Sequence, residues 1–460
     1  MEQSVIFDLD LIKRYDKAGP RYTSYPTAVE FDKTFTDEHY KQQIVLSNER
    51  CGPLSLYVHL PFCDTVCFYC ACNKIITKNR HHAKAYLANL HKEIALQGVL
   101  FDANRVVEQL HWGGGTPTFL NHQQMRELML VTRQYFNLAD DETGEYSIEI
   151  DPREADTETI VLLREIGFNR ISLGVQDFNP IVQKAVNRIQ SEKETFAVID
   201  AARANNFRSI SIDLIYGLPH QTPASFAETL DKIIAVSPER LSIFNYAHMP
   251  ERFKVQRQMN SNDMPQPEVK LEILHRTIQQ LTAAGYIYIG MDHFAKPDDE
   301  LAVAQRKNKL YRNFQGYSTH SECDIIGLGI TSIGSVGDSY SQNQRSLEDY
   351  ATSLNNNKLP IFRGITLSED DKIRRTIITR LICHFSLNII AVEKELNINF
   401  FDYFADVLAQ FDQFEADGLL SYNRNQITVL PAGHLLIRNI CMVFDYYLHQ
   451  NTKQQFSKVI

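Results

Sequence analysis

Between residues 55 and 290 short apolar runs alternate with amphipathic stretches, and this limits the possible fold more than any other feature of the chain. Runs rich in β-branched and aromatic residues lie at 55–58, 106–112, 147–150, 170–174, 209–215, 240–245 and 287–290. Helical periodicity fits 83–96, 123–136, 157–166, 192–204, 225–236 and 267–284 between them. Strands separated by helices are joined by crossovers, and crossovers give parallel pairing. The expected fold class is therefore α/β, a partial (β/α) TIM-like barrel. In such barrels the loops after the strands carry the chemistry.

Five consecutive strand ends bear polar groups or glycine. A cysteine-rich loop follows the first strand and Gly113-Gly114-Gly115 the second. Glu149 and Asp151 end the third, Gln176 follows the fourth and Asp213 lies in the fifth. Any one of these could be a buried residue satisfied by backbone; five in succession point to a site. The triple glycine lacks the Lys-Ser/Thr of a P-loop and the spacing of a dinucleotide fingerprint. Glycine after a strand does let a ligand approach the backbone closely.

Residues 63–72 read Cys-Asp-Thr-Val-Cys-Phe-Tyr-Cys-Ala-Cys and hold four of the eight cysteines. Thiolates bind soft metals and iron–sulfur clusters, and close spacing on one loop keeps the closure cost small. Cys63, Cys67 and Cys70 follow C-x3-C-x2-C, which supplies three ligands to a four-iron cubane and leaves one iron open. That spacing is the signature of the radical S-adenosylmethionine (SAM) enzymes, in which the open iron chelates SAM and its reductive cleavage yields a deoxyadenosyl radical. Zinc would want a second Cys or His pair, and none follows. A thioredoxin-like pair at Cys67 and Cys70 leaves Cys63 and Cys72 unexplained. A disulfide framework does not suit a chain this long and cysteine-poor. Cys51, Cys323, Cys383 and Cys441 are scattered and expected to be reduced.

With 460 residues, 44% hydrophobic and 22% charged, the chain suits two or three domains of ordinary globular composition. A net charge of −9 argues against bulk attraction to nucleic acid or anionic membrane. No basic and apolar leader and no apolar run near 18 residues is visible, so a cytoplasmic location is expected. Three regions are expected: an N-terminal arm over 1–50, the barrel over 51–364 and a mainly helical, winged-helix-like domain over 365–460. Residues 15–27 of the arm, with Arg21, Tyr22, two prolines and a glycine, read as an extended strap needing a groove. They suit either an anionic substrate or plain packing. In the last region, helices at 370–384 and 400–416, a hairpin over 418–429 and a helix over 433–448 are expected. Glu415 and Asp417 there favour packing over DNA binding.

These motifs resemble the oxygen-independent coproporphyrinogen III dehydrogenases, radical SAM enzymes of anaerobic haem biosynthesis. The resemblance runs over essentially the whole chain: Gly19-Pro-Arg-Tyr-Thr-Ser-Tyr-Pro26, the cysteine loop with Cys72, His111-Trp-Gly-Gly-Gly-Thr-Pro-Thr118, Glu149-Ile-Asp-Pro-Arg153, Gly174-Val-Gln-Asp-Phe178, Asn187-Arg188, Asp213-Leu-Ile-Tyr-Gly-Leu-Pro219, Phe244-Asn-Tyr-Ala-His248, Gly290-Met-Asp-His-Phe294, Asn313-Phe-Gln-Gly-Tyr317 and Gly327-Leu-Gly329. It implies a barrel of the radical SAM type and oxidative decarboxylation of two propionates of coproporphyrinogen III to vinyl groups. It implies one [4Fe-4S] cluster on Cys63, Cys67 and Cys70 and two SAM molecules. The first would be held by Tyr57, Tyr69, Gly114 and Glu149, the second by Gly115, Thr116, Gln176, Arg188, Asp213, Ala247 and Ile333. Cys72 belongs to the motif without being a ligand. Phe68-Tyr69 inverts the family's usual order, though both positions stay aromatic. Arg21 and Tyr22 become the candidates for substrate contact. An electron donor and a terminal acceptor are required, a monomer is expected, and no nucleic acid or membrane partner is. The contrasting reading is a haem-binding chaperone, but such relatives generally lack the arm and the fourth cysteine.

Overall fold

The computed structural model describes residues 5–140 and 142–450; the ends of the expected first and last regions lie outside these. The barrel strands are β1 (Leu54–Leu60), β2 (Val106–Gly114), β3 (Glu145–Ile150), β4 (Arg170–Gln176), β5 (Ser209–Tyr216) and β6 (Arg240–Asn245). They pair in parallel in that order. Beyond β6 the sheet turns antiparallel through β7 (Ile287–Gly290) and β8 (His293–Ala295), with β8 inserted between β6 and β7. At its other edge β9 (Asp324–Leu328) pairs in parallel with β1. β10 (Ile333–Val336), β11 (Ser339–Asn343) and β12 (Ile361–Thr366) then continue it antiparallel. The strand path from β7 to β12 is open among the described residues, as a partial barrel requires.

The helices expected between the strands form within two residues of their expected bounds, and their apolar faces cover the outside of the sheet. Trp112 is fully buried there, edge-on to Phe168 at 4.9 Å. The middle strands do not read as continuous apolar runs. In β3 the burial alternates so that Tyr146, Ile148 and Ile150 pack outward while Glu145, Ser147 and Glu149 face the other way. The same period of two places Ser172, Gly174 and Gln176 in β4 and Ser211 and Asp213 in β5 on the inner face. The barrel interior is consequently polar, a 230 Å³ cavity lined by Glu145, Glu149, Arg170, Asp213, Arg240 and His293 among others.

The first fifty residues are more helical than an arm: Leu9–Tyr15 and Asp37–Arg50 are helices, the second closed by a Thr36/His39 capping box. Residues 16–27 between them are largely irregular, and they are held by the C-terminal region. Tyr15 and Arg14 bond Asp417, Tyr22 donates to Asp445 at 2.9 Å, and Arg438 donates to the carbonyls of Gly19 and Pro20. Asp417 is thereby used in packing.

In the C-terminal region Glu369–His384 is helical and the hairpin forms as Leu420–Tyr422 and Gln426–Val429. A third strand, Ser386–Asn388, completes a small antiparallel sheet. Two expected helices are interrupted. The 400–416 stretch breaks at Phe404, buried against Phe400 and Phe444. The 433–448 stretch is helical at Ile437–Met442 and again at Tyr446–Gln450, because Asp445 caps a new start by accepting from Leu448 N at 3.0 Å. No helix among the described residues is long and apolar enough to cross a membrane.

Candidate active site at the cysteine loop

Past β1 the chain makes a two-residue pairing, Phe62–Cys63 with Ile75–Ile76, that pinches off the cysteine loop. Inside it Cys70 N bonds Cys67 O at 3.2 Å. Each of the three motif cysteines has a donor nearby. Thr116 Oγ1 donates to Cys63 Sγ at 3.5 Å, Arg188 Nη1 and Arg153 Nη2 approach Cys67 Sγ at 3.5 and 3.7 Å, and Lys74 Nζ bonds Cys70 O at 2.9 Å. Arg188, Arg153 and Lys74 thus bring three cations to the Cys67 and Cys70 side of the loop, and a neutral hydroxyl faces Cys63. The Cys70 thiol is held down at about 6, by a hydrogen bond from Cys72 first and by Lys74 in spite of burial, whereas burial pushes Cys63 up to about 11. Cys72 is exposed and acts through that hydrogen bond.

The three glycines form the wall behind the loop. Gly115 N bonds Leu60 O at 2.8 Å and Thr116 N bonds Phe62 O at 2.7 Å. A Cβ on Gly115 would lie 2.7 Å from Phe62 O, and Gly114, at φ +119°, would drive one into the His59 ring. Only glycine allows this close approach. The freed Gly114 N–H donates to Glu149 Oε2 at 3.1 Å, while His111 Nε2 meets Oε1 at 3.2 Å and stacks on Tyr57. Burial pushes Glu149 up, but these hydrogen bonds and the His111 and His59 charges outweigh it and hold the carboxyl below its usual range. Its side chain is 44% accessible, to the cavity it lines.

In the irregular segment beyond β4 and the short helix Pro180–Ala185, Arg188 is buried and bridges Asp151 Oδ2 (2.8 Å), the Gly174 carbonyl and Cys67. Gln176, at φ +68°, lies beside it, its amide where a Gly174 Cβ would have to go. One rung further Gly174, Asp213, Ser242 and His293 lie side by side across four strands. Burial first, and the Glu149 charge second, push Asp213 up to about 7. Tyr69 and Ala247 open onto a second cavity of 530 Å³ shared with Arg21, Phe244 and Lys270. The donor set suits an iron–sulfur cluster, and the glycine wall with the Glu149 acceptor suits a bound amino acid and nucleoside.

Two sequence candidates lie apart from this assembly. Tyr22 is 4% exposed with its hydroxyl donating to Asp445, which places it in the packing between the N-terminal segment and the C-terminal region. Ile333 opens β10, two strands from Tyr57, and packs with Phe31, Tyr340 and Leu367. The reading of sequence missed His59, His111, Ser147, Arg153 and Asp292. The signal for Ser147 was present as polar alternation in Glu-Tyr-Ser-Ile-Glu.

Asp213 provides a pH test. A carboxyl whose pKa is raised by folding contributes most below its unfolded value, near 4, and loses that contribution as pH rises through about 7. At about 1.4 kcal/mol per pH unit this amounts to at most roughly 4 kcal/mol. Asp213→Asn should therefore raise the melting temperature of SAM-free protein at pH 8 and hardly change it at pH 4, while weakening SAM binding. Equal shifts at both pH values would contradict it.

A radical SAM superfamily model matches residues 57–233. The chain is 54% identical to an oxygen-independent coproporphyrinogen III oxidase of Pseudomonas aeruginosa, 100% of both chains being covered. It is 50% identical to that of Escherichia coli, over 100% of this chain and 99% of the relative. The solved structure of coproporphyrinogen III oxidase (HemN) from Escherichia coli, described as a radical SAM enzyme, superposes with a TM-score of 0.93 at 48% identity, covering 97% of this chain and 100% of that one. With the cysteine loop at the mouth of a partial barrel and relatives aligned from end to end, the chain belongs to the oxygen-independent coproporphyrinogen III oxidase family of radical SAM enzymes.

Proposed function

We propose that the chain converts two propionates of coproporphyrinogen III to vinyl groups, giving protoporphyrinogen IX, as a cytoplasmic monomer. Each conversion removes a hydrogen atom, carbon dioxide and one electron from a propionate, so an external acceptor must take the electrons and a donor must supply the cluster. When bound, the [4Fe-4S] cluster on Cys63, Cys67 and Cys70 and SAM supply the hydrogen-atom abstraction that an unactivated carbon requires. The protein's own groups position, recognise and exclude water. Glu149, fixed by Gly114 and His111, accepts hydrogen bonds from the first SAM with Tyr57 and Tyr69 beside it. Arg188, Asp213, Gln176, Thr116 and the Gly115 and Ala247 backbone serve a second, with Ile333 at the margin. Both sets have members on each cavity, Glu149 and Asp213 on one, Tyr69 and Ala247 on the other, so the two molecules would share one mouth.

Arg21 supports the substrate reading. It reaches the 530 Å³ cavity, pairs with Asp292 at 2.5 Å and keeps 36% of its side chain accessible. Its fork retains N–H groups for a propionate, and Lys270 on the same wall adds a second cation. The observation that carries the proposal is the end-to-end match to relatives named for this reaction, arm and C-terminal region included. Anaerobic incubation with coproporphyrinogen III, SAM and a reductant should yield a product lighter by two carbon dioxide units and four hydrogen atoms. Unchanged substrate with tight haem binding instead would favour the chaperone reading.

A further inference from the structure

At the N-terminal edge of the sheet, away from the cysteine loop, a second cluster of metal-type ligands is assembled. Glu108 near the start of β2, His320 in the loop before β9 and Cys323 next to the first residue of β9 place one ligand atom each within 4.8 Å of one another. His320 Nδ1 lies 3.1 Å from Glu108 Oε2, and its other nitrogen faces Glu145 Oε2 at 3.9 Å. We propose that Glu108, His320 and Cys323 form a binding site for a divalent transition metal of the zinc class, with Glu145 orienting the imidazole from behind.

The donor chemistry and the charges both support this. Thiolate sulfur, imidazole nitrogen and carboxylate oxygen together suit zinc, and water completes a tetrahedron. Contraction of the three donors by small side-chain rotations is needed, and each has some freedom, since all three are only partly buried. A carboxylate behind a ligating histidine fixes its tautomer and raises its basicity. Glu145 is itself held by Gln109 Nε2 at 2.8 Å and by Arg170. The neighbouring Asp324 is paired with Arg105 at 2.6 Å. Glu108, by contrast, has no Lys or Arg partner among the described ion pairs; only His320 meets it. One metal dication therefore balances one carboxylate and one thiolate. On binding, an S–H bond is replaced by a metal–sulfur bond and one proton is released, with no change of oxidation state. The loop is already placed, His320 N bonding Ser318 Oγ at 3.1 Å. Such a metal would clasp the start of β2 to β9, the two strands that flank β1, at the face of a barrel where stability is built.

The experiment loads cluster-replete protein with zinc under anaerobic conditions and dialyses it against micromolar free zinc. Zinc per chain and X-ray absorption at the zinc edge, to which iron does not contribute, are then measured. One retained zinc with one sulfur and otherwise nitrogen or oxygen neighbours is expected. Cys323→Ser and His320→Ala should each lose it while keeping their iron, which reports that they are folded, and Glu145→Gln should bind 10–100-fold more weakly. If either ligand variant also lost iron, the partly exposed Glu108→Gln substitutes as the test and should lose zinc alone. No retained zinc, a multi-sulfur environment showing that the cluster cysteines hold it, or zinc persisting in iron-replete Cys323→Ser and His320→Ala would overturn the proposal.

Discussion

Alanine at Cys63, Cys67 or Cys70 is expected to abolish cluster binding and turnover together while the barrel stays folded. The three thiols lie on a loop pinched off after β1 and outside the clusters of packed apolar side chains, so removing one deletes a ligand at little cost to the barrel. About four irons per chain are expected in reconstituted parent protein, the content of one cubane, and a small fraction of that in each variant. Cys72→Ala should keep its iron, since that exposed thiol acts through a hydrogen bond to Cys70. Iron analysis with the electron paramagnetic resonance of the reduced protein, before and after SAM, checks both. A Cys70→Ala protein that retained a full, SAM-responsive cluster would refute the ligand assignment.

Deleting residues 1–30 should cost the protein its fold, whereas Arg21→Ala should cost it only catalysis. The deletion removes Ile12, Tyr15, Tyr22 and Tyr25, all at most 7% exposed. At about 1.5–3 kcal/mol for each buried apolar side chain, their loss is comparable with an entire stability of roughly 5–15 kcal/mol. It also strips two carbonyl acceptors from the buried Arg438. Arg21→Ala removes one charge-assisted contact, worth about 1.5–3 kcal/mol, or about one to two decades in kcat/KM. Because Asp292 would be left without its cation, the double variant Arg21→Ala/Asp292→Asn distinguishes a lost substrate contact from an orphaned carboxylate. Only the former remains impaired in the double variant. Thermal melts, iron content and vinyl-product yield on the same preparations decide the matter, and full yield from Arg21→Ala would make the arm packing alone.

Local pattern in the chain already contained the six parallel strands, the helices between them and the cysteine loop at the end of the first. Each depends on residues within one or two turns of one another, where periodicity and breakers are informative. The glycine run was visible too, but its purpose was not: Gly114 must be glycine because the His59 ring from the neighbouring strand occupies the place of its Cβ. The inward polar stripe of β3 to β5 was written in alternating residues, yet its meaning depended on which face of the sheet became the interior. Burial separates Tyr22 and Arg21, two adjacent residues that composition could not tell apart. One is sealed against Asp445; the other reaches across 271 positions to Asp292 at the rim of a cavity. The antiparallel strands beyond β9, the broken final helices and the meeting of Glu108 with His320 likewise needed the tertiary structure. Contacts between segments hundreds of residues apart are selected by packing of the whole chain, and no local propensity encodes them.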